Sequence, residues 1–209
     1  MSYISAKDIE SIAKKVLTQA GIDVPPVRVD SIAEFNCGLE FGWRNLDKYS
    51  LSGEVLAAIV IQDEKIYLNE SKERELKNNL GRRNFTIAHE LGHWFLHKDL
   101  AQEKLFGVEG KVIICRGLNI KTDNRERQAD IFATHLLMPE RFVREQLKSF
   151  APELSEYDLK RMANIFQVSK QAMKIRLVDE LKVLHYVQGV YYKSEREAME
   201  ARGQQSLFQ

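Results

Sequence analysis

Three residues within one helical turn carry the most specific chemistry in the chain: His89, Glu90 and His93, in the run His-Glu-Leu-Gly-His. An α-helix repeats every 3.6 residues, so positions four apart share a face one turn apart, close enough for two imidazoles to bind a single metal ion. Glu90 points about 100° around the helix from His89 and is suited to act as a general base toward a water on the open side of the metal, rather than as a ligand. In a chain with five histidines the pattern arises by chance in roughly one sequence in a hundred, so its context has to decide. Ile87, Ala88, Leu91, Trp94 and Leu96 supply that context, because they give the helix enough apolar surface to be buried around its polar face.

A hydrolytic zinc site needs three protein ligands and one open position. His97 is eight residues beyond His89, about 12 Å along a continuous helix, and cannot share bonds of about 2 Å with it. It reads as a supporting or substrate-side group. A later helix offers Glu126 and Asp130, four apart and therefore on one face, so that one carboxylate can bind metal while the other steadies a histidine. Glu126 is taken as the ligand and Asp130 as the support of His89 or His93. A plainer role for Glu126 is the capping box Asp123-x-x-Glu126 at the start of that helix. His135, nine residues after Glu126, falls on the opposite face and reads as a structural or surface residue.

The elements that must position these residues follow from periodicity and breakers. Ser5 and Asp8 resemble a capping box ahead of a helix from about Ala6 to Ala20. Pro25-Pro26 forces an extended passage, a short helix covers Val29–Phe35, and Leu39–Trp43 is a candidate strand. Val55–Ile61 and Lys65–Asn69 form a β-hairpin. Helices are expected over Arg82–His97 and Arg125–Met138, the latter closed by Pro139, with a short strand at Val112–Cys115 between them. Beyond Pro152 the chain is mainly helical. Leu154–Phe166, a turn at Gln167-Val168 and a Ser169-capped helix to about Leu184 suggest a helix-turn-helix, and a polar tail begins at Lys193. The expected fold class is α+β: a mainly helical domain with a small antiparallel or mixed sheet over residues 1–150, a helix-turn-helix-like segment over 151–185, and an extension over 186–209 with a flexible tail.

Composition narrows the functional classes. Thirty-one basic side chains against thirty acidic ones leave a net charge of +1, no global field for nucleic acid or an anionic membrane. Cys37 and Cys115 match no paired metal spacing and are too few for a disulfide framework, which fits a reducing cytoplasm. The amino terminus lacks the pattern of a secretory signal, and no apolar run is long enough to span a bilayer.

Taken together, Arg83-x-Phe85-Thr86-Ile87-Ala88-His89-Glu90-Leu91-Gly92-His93, His97, Glu126-x-x-Ala129-x-x-Phe132-Ala133 and Leu136-Leu137-Met138-Pro139 resemble the ImmA/IrrE family of metallopeptidases, as do Tyr67-Leu68-Asn69 and residues 166–177. The resemblance implies a gluzincin-like zinc endopeptidase with His89, His93 and Glu126 as ligands and Glu90 as catalytic base. It implies a protein substrate as well, in several family members a helix-turn-helix repressor encoded nearby, while other members are paired with antitoxins. Manganese is the alternative to zinc, because affinity order alone does not select the working ion. Strand Lys65–Asn69 is either an edge for pairing with an extended substrate or a strand paired on both sides inside the sheet, and His97, Tyr67 and Tyr157 are candidates for stabilising an oxyanion. A competing class is a non-proteolytic regulator with a structural metal that binds a repressor or DNA. It draws on the five basic residues, with no acidic ones, between Lys160 and Arg176.

Overall fold

The computed structural model describes residues 4–49, 54–98, 107–108, 111–115 and 124–206, and the fold is given for those residues. They form an α+β architecture with two compact units. One holds the chain as far as Asp23 together with Val27–Leu137, and the other holds Val24–Pro26 together with the chain from Met138. No helix among the described residues is long and apolar enough to cross a membrane.

The first unit opens with α1 (Ala6–Gln19), whose N-cap Ser5 accepts a hydrogen bond from the Asp8 amide. Ile9, Ala13, Val16 and Leu17 recur at helical spacing and are buried. After the cis Pro25-Pro26 bond, α2 (Val29–Ser31) runs into a π-helical turn, Ile32–Asn36. Strand β1 (Glu40–Arg44) pairs parallel with β3 (Lys65–Asn69), which pairs antiparallel with β2 (Ala57–Val60). The expected hairpin is thus β2 and β3, joined by a tight turn with Glu64 in the left-handed region at φ 51°. Beyond it come β4 (Gly107–Val108) and β5 (Lys111–Cys115), and the sheet order is β1-β3-β2-β5-β4.

That order decides between the two readings of Lys65–Asn69. Strand Lys65–Asn69 is interior, hydrogen-bonded on both sides, so it offers no edge for an extended substrate. Alternation puts Ile66 and Leu68 on one face of β3, while Tyr67 on the other packs with Leu46, Val55, Ala58 and Val60. Asn69, fully buried, accepts from the Leu46 and Ser71 amides and donates to Asp47 and the Val55 carbonyl, tying the preceding loop to the sheet.

The helices that matter for chemistry lie beside this sheet. After α3 (Glu73–Asn78), α4 (Leu80–His97) begins two residues before the expected start, because the Asn79 side chain caps it by accepting from the Arg82 amide. Helix α5 (Asn124–Leu137) packs on both α4 and α1, and α4 also touches β2. Asp123, the residue proposed to cap α5, lies outside the described residues.

In the second unit, Pro139 precedes α6 (Glu140–Leu147), and β6 (Glu153–Ser155) leads into α7 (Glu156–Phe166) through the expected Ser155/Asp158 capping box. Gln167 turns the chain at φ 53°, a conformation usually left to glycine, and its amide bonds back to Ala163 and Asn164. Helix α8 (Lys170–Lys174), capped by Ser169, ends in a π-helical turn at Ile175–Glu180, short of the expected Leu184. Strands β7 (His185–Val187) and β8 (Val190–Tyr192) join β6 in the antiparallel order β6-β8-β7. The stretch from Lys193, expected to be loose, contains α9 (Glu195–Ser206), with Ala198 buried and the Lys193 ammonium donating to the Leu147 and Phe150 carbonyls at 2.6 Å.

The basic run in this unit is less available to phosphates than its sequence suggests. Arg176 is buried, donating to the Met138 carbonyl and pairing with Glu180. Arg161 and Lys170 pair with Asp158 and Glu156, and the Lys174 ammonium sits 4.1 Å from the centroid of the Tyr186 ring. Local acids and aromatic rings from α7 and the β7–β8 hairpin thus engage most of the run.

Candidate metal centre

Helix α4 buries His89, Glu90 and His93, each at most 1% exposed. The His89 and His93 Nε2 atoms stand 3.1 Å apart. From the first turn of α5, Glu126 brings Oε2 to 3.2 Å from His89 Nε2 and Oε1 to 3.2 Å from His93 Nε2. Ligands at tetrahedral corners about 2.0 Å from a zinc ion are separated by about 3.3 Å. The three residues therefore already hold their donor atoms near the edge lengths that one tetrahedral ion requires, and two imidazole nitrogens with a carboxylate oxygen form a donor set that suits zinc. Manganese accepts the same donors.

Both histidines are held from behind. The Nδ1–H of His89 donates to Asp130 Oδ1 at 2.9 Å, so of the two partners open to Asp130 in sequence the fold selects His89. Asp130 is one turn beyond Glu126, so α5 presents one carboxylate to the front of the His89 ring and one to its back. His93 Nδ1 lies 3.1 Å from His97 Nδ1, and His97 Nε2 lies 2.9 Å from Gln128 Oε1. His97, 1% exposed, thus stands behind His93, away from the cluster of the three donor atoms. His135 is half-buried and stands outside the cluster as well. Tyr67 packs on the sheet face described above, and Tyr157, in the second unit, is 70% exposed.

The charges of the site are strongly coupled. Burial opposes the His89 imidazolium, but Asp130 and Glu126 outweigh it and raise this group to about 9. Burial lowers His93 to about 4 against the pull of Glu126, with the neighbouring His89 charge acting in the same direction as burial. Glu126 is itself resisted by burial, yet the two imidazoles beside it, His89 ahead of His93, hold it well below the usual carboxylate range. An ionised carboxylate converging with two ring nitrogens in a buried place is an arrangement that a cation would satisfy.

Two residues at this centre were not singled out from sequence. A Cβ on Gly92 would stand 2.8 Å from Ala129 Cα, so this glycine lets α4 and α5 approach closely enough for Glu126 to reach both histidines. A glycine inside a helix costs about 1 kcal/mol relative to alanine, and that cost was the available signal. Gln128 had no such signal, because its role depends on His97 and on the chain ahead of α1.

Two histidines on one helix, a glutamate from a second helix and an acid between the histidines define a site of the metallopeptidase class on an α+β fold. Comparison with known proteins agrees. Residues 56–178 match the Peptidase M78 family, described as the IrrE N-terminal-like domain. Metallopeptidase ImmA of Bacillus subtilis (strain 168) is 33% identical over 93 residues, which make up 44% of this chain and 47% of that one, so the match spans about half of the relative's length. A solved structure described as a Mycobacterium tuberculosis transcriptional regulator shares the fold with a TM-score of 0.52 at 17% identity, over 84% of this chain and 47% of that one. The chain belongs to the ImmA/IrrE family of metallopeptidases, as its motifs lead one to expect.

Proposed function

We propose that this protein is a zinc-dependent endopeptidase in which His89, His93 and Glu126 hold the metal and Glu90 is the catalytic base. The observation that carries the reading is the convergence of the three donor groups at separations of 3.1–3.2 Å, with Glu90 buried on the same helix. When bound, zinc supplies Lewis acidity that lowers the pKa of a water to about 7 and polarises a peptide carbonyl. The chain supplies the rest. Glu90 takes a proton from the water as its oxygen bonds to the carbonyl carbon, then delivers that proton to the amine nitrogen as the peptide C–N bond breaks, so the proton count balances. Asp130 and His97 keep both ligand rings oriented through their Nδ1 atoms.

The substrate we favour is a helix-turn-helix transcriptional repressor encoded near this protein, cleaved to relieve repression. Family membership supports this reading, as does the engagement of most of the basic run of the second unit by local partners, which weakens the competing picture of a DNA-binding regulator. The test is to incubate the purified protein with the neighbouring repressor, with zinc and with a chelator. Zinc-dependent cleavage that Glu90→Gln abolishes while retaining the metal is the expected result. An intact repressor under every condition overturns the substrate, and cleavage that survives Glu90→Gln overturns the base.

A further inference from the structure

We propose that Gln128 is a positioning residue that locks the tautomer of His93 through His97, by a neutral hydrogen-bond relay anchored on the Ile4 carbonyl. The inference rests on reading His93 as a metal ligand. The direction of the relay follows from one group with a single possible role. A backbone carbonyl only accepts, so the Gln128 nitrogen 3.1 Å from the Ile4 oxygen must be the donating Nε2. That sets the amide orientation and leaves Oε1, an acceptor, facing His97 Nε2 at 2.9 Å. His97 therefore carries a proton on Nε2, and in the neutral ring its Nδ1 presents a lone pair to His93 Nδ1, 3.1 Å away. His93 must donate there, so its proton is on Nδ1 and the lone pair of Nε2 faces Glu126 and His89, where a metal would sit.

The anchor is itself held. Ile4 precedes the Ser5 cap of α1, and α1 packs on α5, the helix that carries Gln128. His97 and His93 are buried and Gln128 is 9% exposed, so water competes little for these bonds. The two ligand histidines are thus fixed by different means. His89 donates to a carboxylate, which strengthens the ring as a base, whereas His93 donates to His97, which in turn bonds the uncharged Gln128 amide. The relay also links the order of the chain ahead of α1 to the lone pair of a metal ligand about ninety residues later in sequence, which no local pattern would reveal.

The experiment uses the full chain, labelled with nitrogen-15 histidine and freed of metal, and reads ring tautomers from two-bond proton–nitrogen correlations. The expected spectrum has His97 protonated on Nε2 and His93 protonated on Nδ1. Gln128→Leu removes the acceptor, so both rings should show mixed tautomers, and the zinc dissociation constant measured with a competing chelator should rise about tenfold to a hundredfold. A wild-type His97 protonated on Nδ1 overturns the lock, as does a folded Gln128→Leu protein with unchanged tautomers and unchanged zinc affinity. If Gln128→Leu does not fold, the wild-type spectrum decides alone. A wild-type protein with the expected tautomers that takes up no zinc supports the lock and defeats the metalloenzyme reading, so the two failures are distinguishable.

Discussion

Gly92→Ala puts the smallest possible wedge between the two helices that build the site. The added Cβ would meet Ala129 Cα at 2.8 Å and Ala129 Cβ and O at 3.1 Å, whereas carbon atoms rest at about 3.5–4.0 Å. Relief requires α5 to retreat from α4 by about 0.7–1.2 Å, since the nearest atom is backbone and cannot rotate away. Ala129 sits between Glu126 and Asp130, so both carboxylates move with it. Metal bonds tolerate about 0.2 Å, so the Glu126 oxygens leave the positions that now fit an ion. Overpacking costs about 1–3 kcal/mol, and alanine in place of glycine returns up to about 1 kcal/mol of helix propensity. The net loss is about 0–2 kcal/mol, so the variant should fold, with a melting temperature lower by at most about 8 °C at about 2–4 °C per kcal/mol. Its function should suffer more: a displacement near 1 Å predicts about a hundredfold loss of cleavage together with weaker zinc binding. Thermal denaturation, zinc competition and proteolysis of the repressor on the same preparation give the comparison. Adding Ala129→Gly should not restore activity, because the backbone of residue 129 still stands in the way of the new methyl group. A Gly92→Ala protein with wild-type zinc affinity and activity refutes the idea that this approach sets the geometry.

Other perturbations test separate parts of the site. Asp130→Ala removes the acceptor behind His89 and should weaken zinc binding by about tenfold to a hundredfold in the same competition assay, leaving α5 folded. Zinc uptake at pH 7 should release a proton, because His89 is raised to about 9 in the metal-free site and must bind as neutral imidazole; apparent affinity should fall about tenfold per pH unit below that value, readable by titration in buffers of different ionisation enthalpy. Chelation should lower the melting temperature, and a thousandfold excess of zinc over its dissociation constant should return about 4 kcal/mol. Tyr191→Phe deletes a 2.5 Å hydrogen bond to Glu156 and should cost about 1 kcal/mol, a value discounted for the exposure of the carboxylate. Tyr191, then Lys170, keeps the Glu156 carboxyl below its ordinary value, so this stabilisation is present above the usual carboxylate range and lost as pH falls through the lowered one; equal stability of the two proteins at neutral pH would refute it.

Much of the local architecture was legible in the sequence because it depends on one segment at a time. A four-residue spacing places His89 with His93, and Glu126 with Asp130, on single helix faces wherever those helices form. Ser5 and Ser155 announce helix starts through bonds that span three residues. The metallopeptidase family followed from the combined motifs. The sheet was only half legible: β2 and β3 form a local hairpin, but the parallel pairing of β1 along the other side of β3, which removes the supposed substrate edge, brings in a segment about twenty-five residues earlier.

What the tertiary structure alone decided is how two faces meet. Whether Glu126 reaches both histidines, and whether Asp130 serves His89 or His93, depends on the rotation and separation of α4 and α5, fixed in part by the close approach of Gly92 to Ala129. The role of Gln128 depends further on the placement of Ile4, and the weakening of the basic run depends on acids and rings from other elements. Periodicity is a property of a single backbone and can be read from its residues. The distance between two backbones is a joint property of every side chain packed between and around them, and it exists only once the chain has folded.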